Sequence, residues 1–503
     1  MKKFVSIALA LTLSLSCFTL FGCAEREENT TVLRVCNCED YIDEELLDEF
    51  TEETGIVVEY STYGTNENLY NELVINPNSY DLVVPSEYMI EKLAEEGRIQ
   101  KLDFSKINGY DENLSPFIKE RLNALKVKNG EYKGSSLSEF MVGYMWGTMG
   151  WVYNTEYVSR EEVSSWDGVF DNSALDKKIT IKDAVRDSYI VGLAMVYGDQ
   201  LNQAKNNEEI SEILNRVDRD SINLVGNKLN SIKQMLYGFE VDSGKNDIVL
   251  GNIYAYVAWS GDAAYAIDVA SGEVEDDDGT FVENVRDLSY SIPEEGSNIW
   301  FDGFVMPSGS TNYDAVNKFL EFISRPASVY RNMNYTGYTS MIGGGEFVAE
   351  DENGEEYQTD IFNEVVLGWF DESEDLGEGE GVIVDLSYFF GDGDYTVTVS
   401  EEGFGRLIAQ YPTAEIVEKC AIMSNFSSET LMDINDMWEG VKGETFPEWL
   451  IILIVCAIVL LMVLIVLYRN KEKFPWLKLP ERKKSYAERK GLKVVKIEEL
   501  GDL

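Results

Sequence analysis

The chain contains no histidine in 503 residues. That removes Ser-His-Asp and Cys-His catalysis, histidine metal ligands and histidine-based pH switching together. It also has no G-x-x-x-x-G-K-[ST] stretch, so it carries no P-loop ATPase of its own. Positive charge is scarce: 42 Lys and Arg stand against 90 Asp and Glu, a formal net charge of −48. Nucleic-acid binding is disfavoured by that balance, because a phosphate backbone requires Lys and Arg. A negative field instead concentrates cationic ligands, although most such carboxylates in any protein simply solubilise the surface. The six cysteines are too few and too scattered for a disulfide framework. Cys17 and Cys456 lie in apolar runs, and Cys36-Asn37-Cys38 lacks the second pair that a zinc site needs. No metal or other cofactor is expected. Asp351-ENGEE and Asp392-GD hint at calcium loops without a complete ligand set.

Two segments point to the membrane. MKKFVSIALALTLSLSCFTLFGC has the two lysines and the apolar run of an export signal. Leu20-Phe21-Gly22-Cys23 resembles the lipobox of bacterial lipoproteins, which implies a signal peptide over 1–23, lipidation at Cys23 and a polar tether over 24–31. Phe21 departs from the small residue usual there. Trp449 to Tyr468 is an uncharged apolar run with aromatic residues at both edges. About 20 residues rising 1.5 Å each span the roughly 30 Å hydrocarbon core, so a transmembrane helix is expected over 449–468. Arg469, Lys471, Lys473, Lys478, Arg482, Lys483 and Lys484 follow it, which makes 469–503 a basic cytoplasmic tail and places the acidic domain outside the cell membrane.

Between these ends the pattern alternates strand and helix. Val32 to Val35, Val57 to Tyr60 and Tyr80 to Val84 read as strands. Asp43 to Thr54, Asn66 to Leu73 and Tyr88 to Gly97 read as helices, the first with Leu46, Leu47 and Phe50 on one face and Gly55 as its stop. Such alternation implies an α/β fold with a mostly parallel sheet, where ligands bind beyond the carboxyl ends of the strands. Asn37 to Tyr41 and Pro85-Ser86-Glu87-Tyr88 occupy those ends. A second alternating region runs from about Tyr144 to Asp302. In it Asp183 and Asp187 flank one strand-to-helix turn, and Trp259, Ser260 and Asp262 occupy another. The two aspartates are equally readable as helix caps. In SNIWFDGFVM, Trp300 and Asp302 stand two apart and so face one side of a strand. An indole beside a carboxylate suits an organic cation, while a half-buried Trp with a solvated Asp is the plain alternative. Residues 343–404, rich in Asp, Glu and Gly, read as an acidic insertion: a surface module or a partly disordered loop.

Several of these segments, taken in order, carry a resemblance. VCNCEDYIDEELLDEFTEETGIVVEYSTYGTNENLY from Val35, YDLVVPSEYMIEKLAEEGRIQKLD from Tyr80, YMWGTMGWVYN from Tyr144, SWDGVFD from Ser165, WSGDAAYA from Trp259 and IPEEGSNIWFDGFVMP from Ile292 are similar to the spermidine/putrescine-binding proteins of bacterial ABC importers. The resemblance covers about 31–342 and resumes at Gln410. It implies the two-lobed type II periplasmic-binding-protein fold with a hinge between lobes. Lobe 1 would span 32–143, lobe 2 144–302 and a return to lobe 1 303–342, with C-terminal helices over 405–442.

The resemblance further implies a non-enzymatic receptor that holds a polyamine between its lobes and delivers it to a permease and an ATPase on separate chains. Tyr41, Ser86 and Tyr88 would come from the first lobe; Asp183, Asp187, Trp259, Trp300 and Asp302 from the second lobe and the crossover; and Tyr338 would close the site. Glu87 and Asp262 are further candidates. Cys38 stands where the family usually has Trp, and Glu39 where a small polar residue is common, an exchange expected to favour a longer or more charged amine unless Glu39 points into water. The rings and carboxylates argue against a simple metal, which wants converging oxygens. A desolvated cation–π contact contributes about 2 kcal/mol and a hydrogen bond to a charged group about 1.5–3 kcal/mol. Two other readings remain: a polyamine sensor coupled to a regulatory partner, and the same fold binding another organic cation.

Overall fold

A computed structural model describes residues 31–275, 281–283, 286–351, 353–374, 376–377, 380–443 and Met462. The expected signal peptide with Cys23, the tether up to residue 30, the basic tail and, Met462 apart, the expected transmembrane helix lie outside the described residues. Among the described residues no helix is long and apolar enough to cross a membrane. The chain divides into two compact units, Met1–Val441 and Lys442–Leu503, and the first carries the sheet and the candidate site.

Strand β1 (Val32–Cys38) pairs in parallel with β2 (Val57–Tyr63) and β3 (Leu82–Val83). The crossover helices are Glu45–Thr54, which buries the expected Leu46, Leu47 and Phe50, and Asn66–Ile75, capped by the Thr65 side chain. Helix Glu87–Glu95 and the short β4 (Ile99–Gln100) follow. The chain then enters β5 (Met141–Asn154), a strand buried along its whole length. Strands β6 (Ile179–Lys182) and β7 (Leu236–Glu240) are parallel, as are β6 and β8 (Ala255–Trp259). Helix Val185–Leu201 leaves β6 and helix Ser260–Ser271 leaves β8. Beyond a hairpin of β9 (Glu273–Glu275) and β10 (Phe281–Glu283), β11 (Leu288–Ser291) pairs with the far end of β5, and β12 (Ser297–Pro307) returns antiparallel to β5.

The main path through the sheet is β2-β1-β3-β12-β5-β8-β6-β7. Its register shows how one path serves two lobes. β5 pairs with β12 from Met141↔Val305 to Thr148↔Ile299, then with β8 from Met149↔Trp259 onwards. The strand therefore begins in one lobe and ends in the other, and β12 lies against its crossing half. Opposite Asp302 the ladder shifts register, with an extra residue on β5 between Gly143 and Trp146. There β13 (Thr339–Ser340) takes up Met145 and Trp146. Separate apolar cores lie on either side of the crossing: Leu33, Leu82, Ile90 and Phe319 belong to one, Trp151, Ile181, Leu193 and Leu229 to the other.

The described part of 343–404 is folded rather than loop. Hairpins β14 (Glu346–Glu350)–β15 (Glu356–Asp360) and β16 (Val382–Asp385)–β17 (Thr396–Val399), with the helical turns Phe362–Leu367 and Ser387–Phe390, bury Phe347, Phe362, Val384, Phe389 and Val399 in the first core. Phe389 stacks on Trp146 of β5, centroids 5.4 Å apart. Composition alone leaves a surface module and a partly disordered loop equally open, because acidic residues outnumber the few rings that pin the stretch down; the described residues form hairpins, as a module would. Helix Glu401–Gln410 lies on β11. After β18 (Cys420–Ala421), helix Ser428–Lys442 buries Ile434 and Trp438 in the second core.

Candidate ligand-binding site

The carboxyl ends of β1 and β3 deliver the first group of side chains. Tyr41 is held by its carbonyl, which accepts the Tyr144 hydroxyl (2.5 Å) and the Asn37 side chain (3.4 Å). Its own hydroxyl donates to Asp302 Oδ2 (2.9 Å). Ser86 precedes helix Glu87–Glu95, is tied to the Asn66 side chain (3.0 and 3.2 Å), and bridges to Asp302 through the backbone. Glu87 turns inward, where its Oε2 accepts the Phe301 N–H (2.8 Å). The Tyr88 hydroxyl donates to Glu67 Oε1 (3.2 Å).

Trp300 and Asp302 follow on β12, and both meet one aromatic pair. Tyr41 and Tyr338 pack edge to face at 4.9 Å, and Trp300 lies 5.7 Å from Tyr338. Two glycines make this approach possible. A Cβ on Gly147 would stand 2.6 Å from Trp300 Cζ2, and one on Gly261 would stand 2.2 Å from the Tyr338 ring. From the second lobe, the Asp262 Oδ1 accepts the Tyr338 hydroxyl (2.9 Å), and Trp259 hydrogen-bonds Asp187. The Arg186 guanidinium lies 3.8 Å from the Tyr88 ring centre and 4.3 Å from that of Phe426, and donates to Ser424 O.

The carboxyl groups gathered here are costly to ionise. Burial pushes Asp302 up to about 6 against the pull of the Ser86 and Tyr41 hydroxyls, with Asp187 adding to the rise. Burial also pushes Asp187 up to about 6, opposed by Lys182 and reinforced by Glu67. Glu87 rises to about 8, again mainly by burial, with the Phe301 N–H working against it. Asp302 Oδ1, Glu87 Oε1 and Trp300 Nε1 are buried without a hydrogen-bond partner. Carboxyls raised by desolvation gather here beside ring faces and unused acceptors, in a chamber that also holds the buried cations Arg186 and Lys182.

Of the residues singled out from sequence, Tyr41, Ser86, Glu87, Tyr88, Asp187, Trp259, Asp262, Trp300, Asp302 and Tyr338 converge on this chamber. Asp183 is half-buried, and its backbone N–H donates to Glu240 O (2.6 Å). Cys38 is half-buried beside them, its thiol pushed up to about 12 by burial and the nearby Asp302. Glu39 is exposed. Sequence reasoning missed Glu67, Lys182, Arg186 and Glu240. Lys182 ends β6, and a lysine at a strand end reads from sequence as a solvated flank rather than an inward cation. The described residues contain no group of His, Cys, Asp or Glu fit to hold a metal. Asp351 instead accepts the backbone N–H groups of Asn353 and Glu355 (2.8 Å each) as a tight turn.

The family model of the bacterial extracellular solute-binding proteins matches residues 45–344. The chain belongs to that family. This solute-binding protein is 31% identical over 333 residues to the putrescine-binding periplasmic protein SpuD of Pseudomonas aeruginosa, covering 65% of this chain and 81% of that one. It is 28% identical over 316 residues to the spermidine/putrescine-binding periplasmic protein of Escherichia coli, covering 63% and 78%. Among solved structures, the spermidine/putrescine ABC transporter substrate-binding protein PotD of Streptococcus pneumoniae superposes with a TM-score of 0.54 at 26% identity, over 82% of this chain and 98% of that one. The TpPotD lipoprotein of Treponema pallidum shares the fold at 16% identity and a TM-score of 0.54. The fold is thus the two-lobed α/β fold of periplasmic binding proteins, and members of this family bind solutes rather than transform them.

Proposed function

We propose that this solute-binding protein captures a polyamine between its lobes and hands it to an ABC permease. The observation that carries the reading is the buried set of Trp300, Asp302, Tyr41 and Tyr338: ring faces around a carboxylate with one oxygen unused. Methylene segments would lie on the rings, and ammonium groups would bond the carboxylates. The names of the relatives agree with this ligand class. Lobe closure would be coupled to binding, because a ligand touching both walls stabilises the closed arrangement over an open one. The receptor would be held at the cell surface by a lipid on Cys23 and by the apolar segment 449–468, with 469–503 in the cytoplasm, a reading supported by sequence pattern.

Calorimetric titration of the full-length chain with putrescine, spermidine and spermine tests the reading. At least one amine should bind, and Trp300→Ala and Asp302→Ala should each weaken that binding more than tenfold. No heat from any of the three, in folded protein, would mean that the chamber serves another ligand.

A further inference from the structure

Lys182 ends β6 and is only 1% exposed. Its ammonium donates to Val241 O (2.9 Å) and Asp262 Oδ2 (3.3 Å), stands 3.7 Å from Glu240 Oε1, and lies 4.1 Å from the centre of the Trp259 ring. A ring face, two carboxylates and a carbonyl are what a primary ammonium group would seek in a protein. At this end of the chamber the chain fills that role itself. Both oxygens of Asp262 are occupied, one by Lys182 and the other by the Tyr338 hydroxyl.

The other end differs. Asp302 Oδ1 is a buried acceptor without a hydrogen-bond partner, and no cation among the described residues has a salt bridge with Asp302 or a ring contact with Trp300. One ring-and-carboxylate set is filled by the protein, and one is open. A ligand ammonium reaching the filled set would meet Lys182 head-on, in a setting where burial magnifies like-charge repulsion.

We propose that Lys182 is a built-in ammonium group that occupies the Trp259–Asp262 subsite, so that the chamber selects a short diamine over triamines and tetraamines. This rests on the polyamine reading above and sharpens it. It also runs against the expectation drawn from Cys38 and Glu39 that a longer amine would be preferred, and Glu39 is exposed.

The test is the ratio of affinities for putrescine and spermidine, measured by calorimetry on the full-length wild type, Lys182→Met and Lys182→Arg. The wild type should bind putrescine at least tenfold more tightly than spermidine. Lys182→Met, which leaves Asp262 and Glu240 without their cation, should reduce that ratio at least tenfold through a gain in spermidine binding. Lys182→Arg, which keeps the charge, should stay near wild type. A wild type that binds spermidine as tightly as putrescine overturns the proposal even if Lys182→Met does not fold. So does a folded Lys182→Met whose ratio stays within twofold of wild type. Absence of heat with every amine, in wild type and Lys182→Met alike, is a different result: it removes the polyamine reading and this selectivity with it.

Discussion

Burial raises the carboxyls of Asp302 and Asp187 to about 6 in the folded chain, whereas an aspartate in an unfolded chain loses its proton near 4. Between those values the folded state binds more protons than the unfolded one. These groups therefore contribute stability that is present at low pH and lost as pH rises through about 6. Glu87, raised to about 8, extends the same trend upwards. An amine ligand reverses the preference, because it needs the carboxylates ionised. Binding should release protons, and affinity should fall at least tenfold from pH 8 to pH 5. Titration in two buffers of different ionisation enthalpy measures the released protons directly, and Asp302→Asn should release fewer. A binding heat independent of buffer would show that the carboxyls are already ionised without ligand.

At the scale of elements, the site depends on where strands end and how closely they pass. β1, β3, β6 and β8 all finish at the chamber, and β5 and β12 run through it between the lobes. Helix Ser260–Ser271 comes so close to Tyr338 that its second residue has no room for a side chain. Gly261→Ala would put a methyl group into the Tyr338 ring and break the Tyr338–Asp262 hydrogen bond that joins the two walls. The expected outcome is a folded protein whose amine affinity drops at least tenfold and whose radius of gyration, by small-angle scattering, no longer contracts on adding amine. Wild-type contraction in the variant would mean that closure does not need this contact.

Across the whole molecule the dominant quantity is charge. With 90 acidic against 42 basic residues, the protein carries a negative field in which a cation is drawn in before it touches any pocket residue. Exposed charges are screened beyond about 8 Å at physiological ionic strength, so this attraction is a rate effect that salt removes. The association rate constant of a polyamine, followed by stopped-flow tryptophan fluorescence, should fall several-fold between about 20 and 300 mM salt. The dissociation rate constant, set by buried contacts, should change far less. Equal effects on both would place the charge dependence inside the chamber rather than in the field around it.

What the amino-acid order determined by itself is local. The apolar spacing of Leu46, Leu47 and Phe50 specifies a helix face, the runs at Val32 and Tyr80 specify buried strands, and their alternation specifies an α/β sheet with ligand groups at the strand ends. The stretches Asn37 to Tyr41 and Pro85 to Tyr88 were legible for that reason, since a residue just past a strand can be placed without knowing what lies opposite it; Tyr41, Ser86 and Tyr88 were singled out within them by the family resemblance. Tertiary structure alone decided what faces what. Asp302 meets Tyr41 across 261 positions of chain, and Asp262 meets Tyr338 across 76. Lys182 was invisible as a site residue because its meaning lies in Trp259, Asp262 and Glu240, which reach it from other elements. The packing of 343–404 was hidden likewise, since a handful of rings such as Phe389 outweigh many exposed acids only once Trp146 is there to receive them. Periodicity records which face of an element is buried; partners and protonation come from distances that only the folded chain possesses.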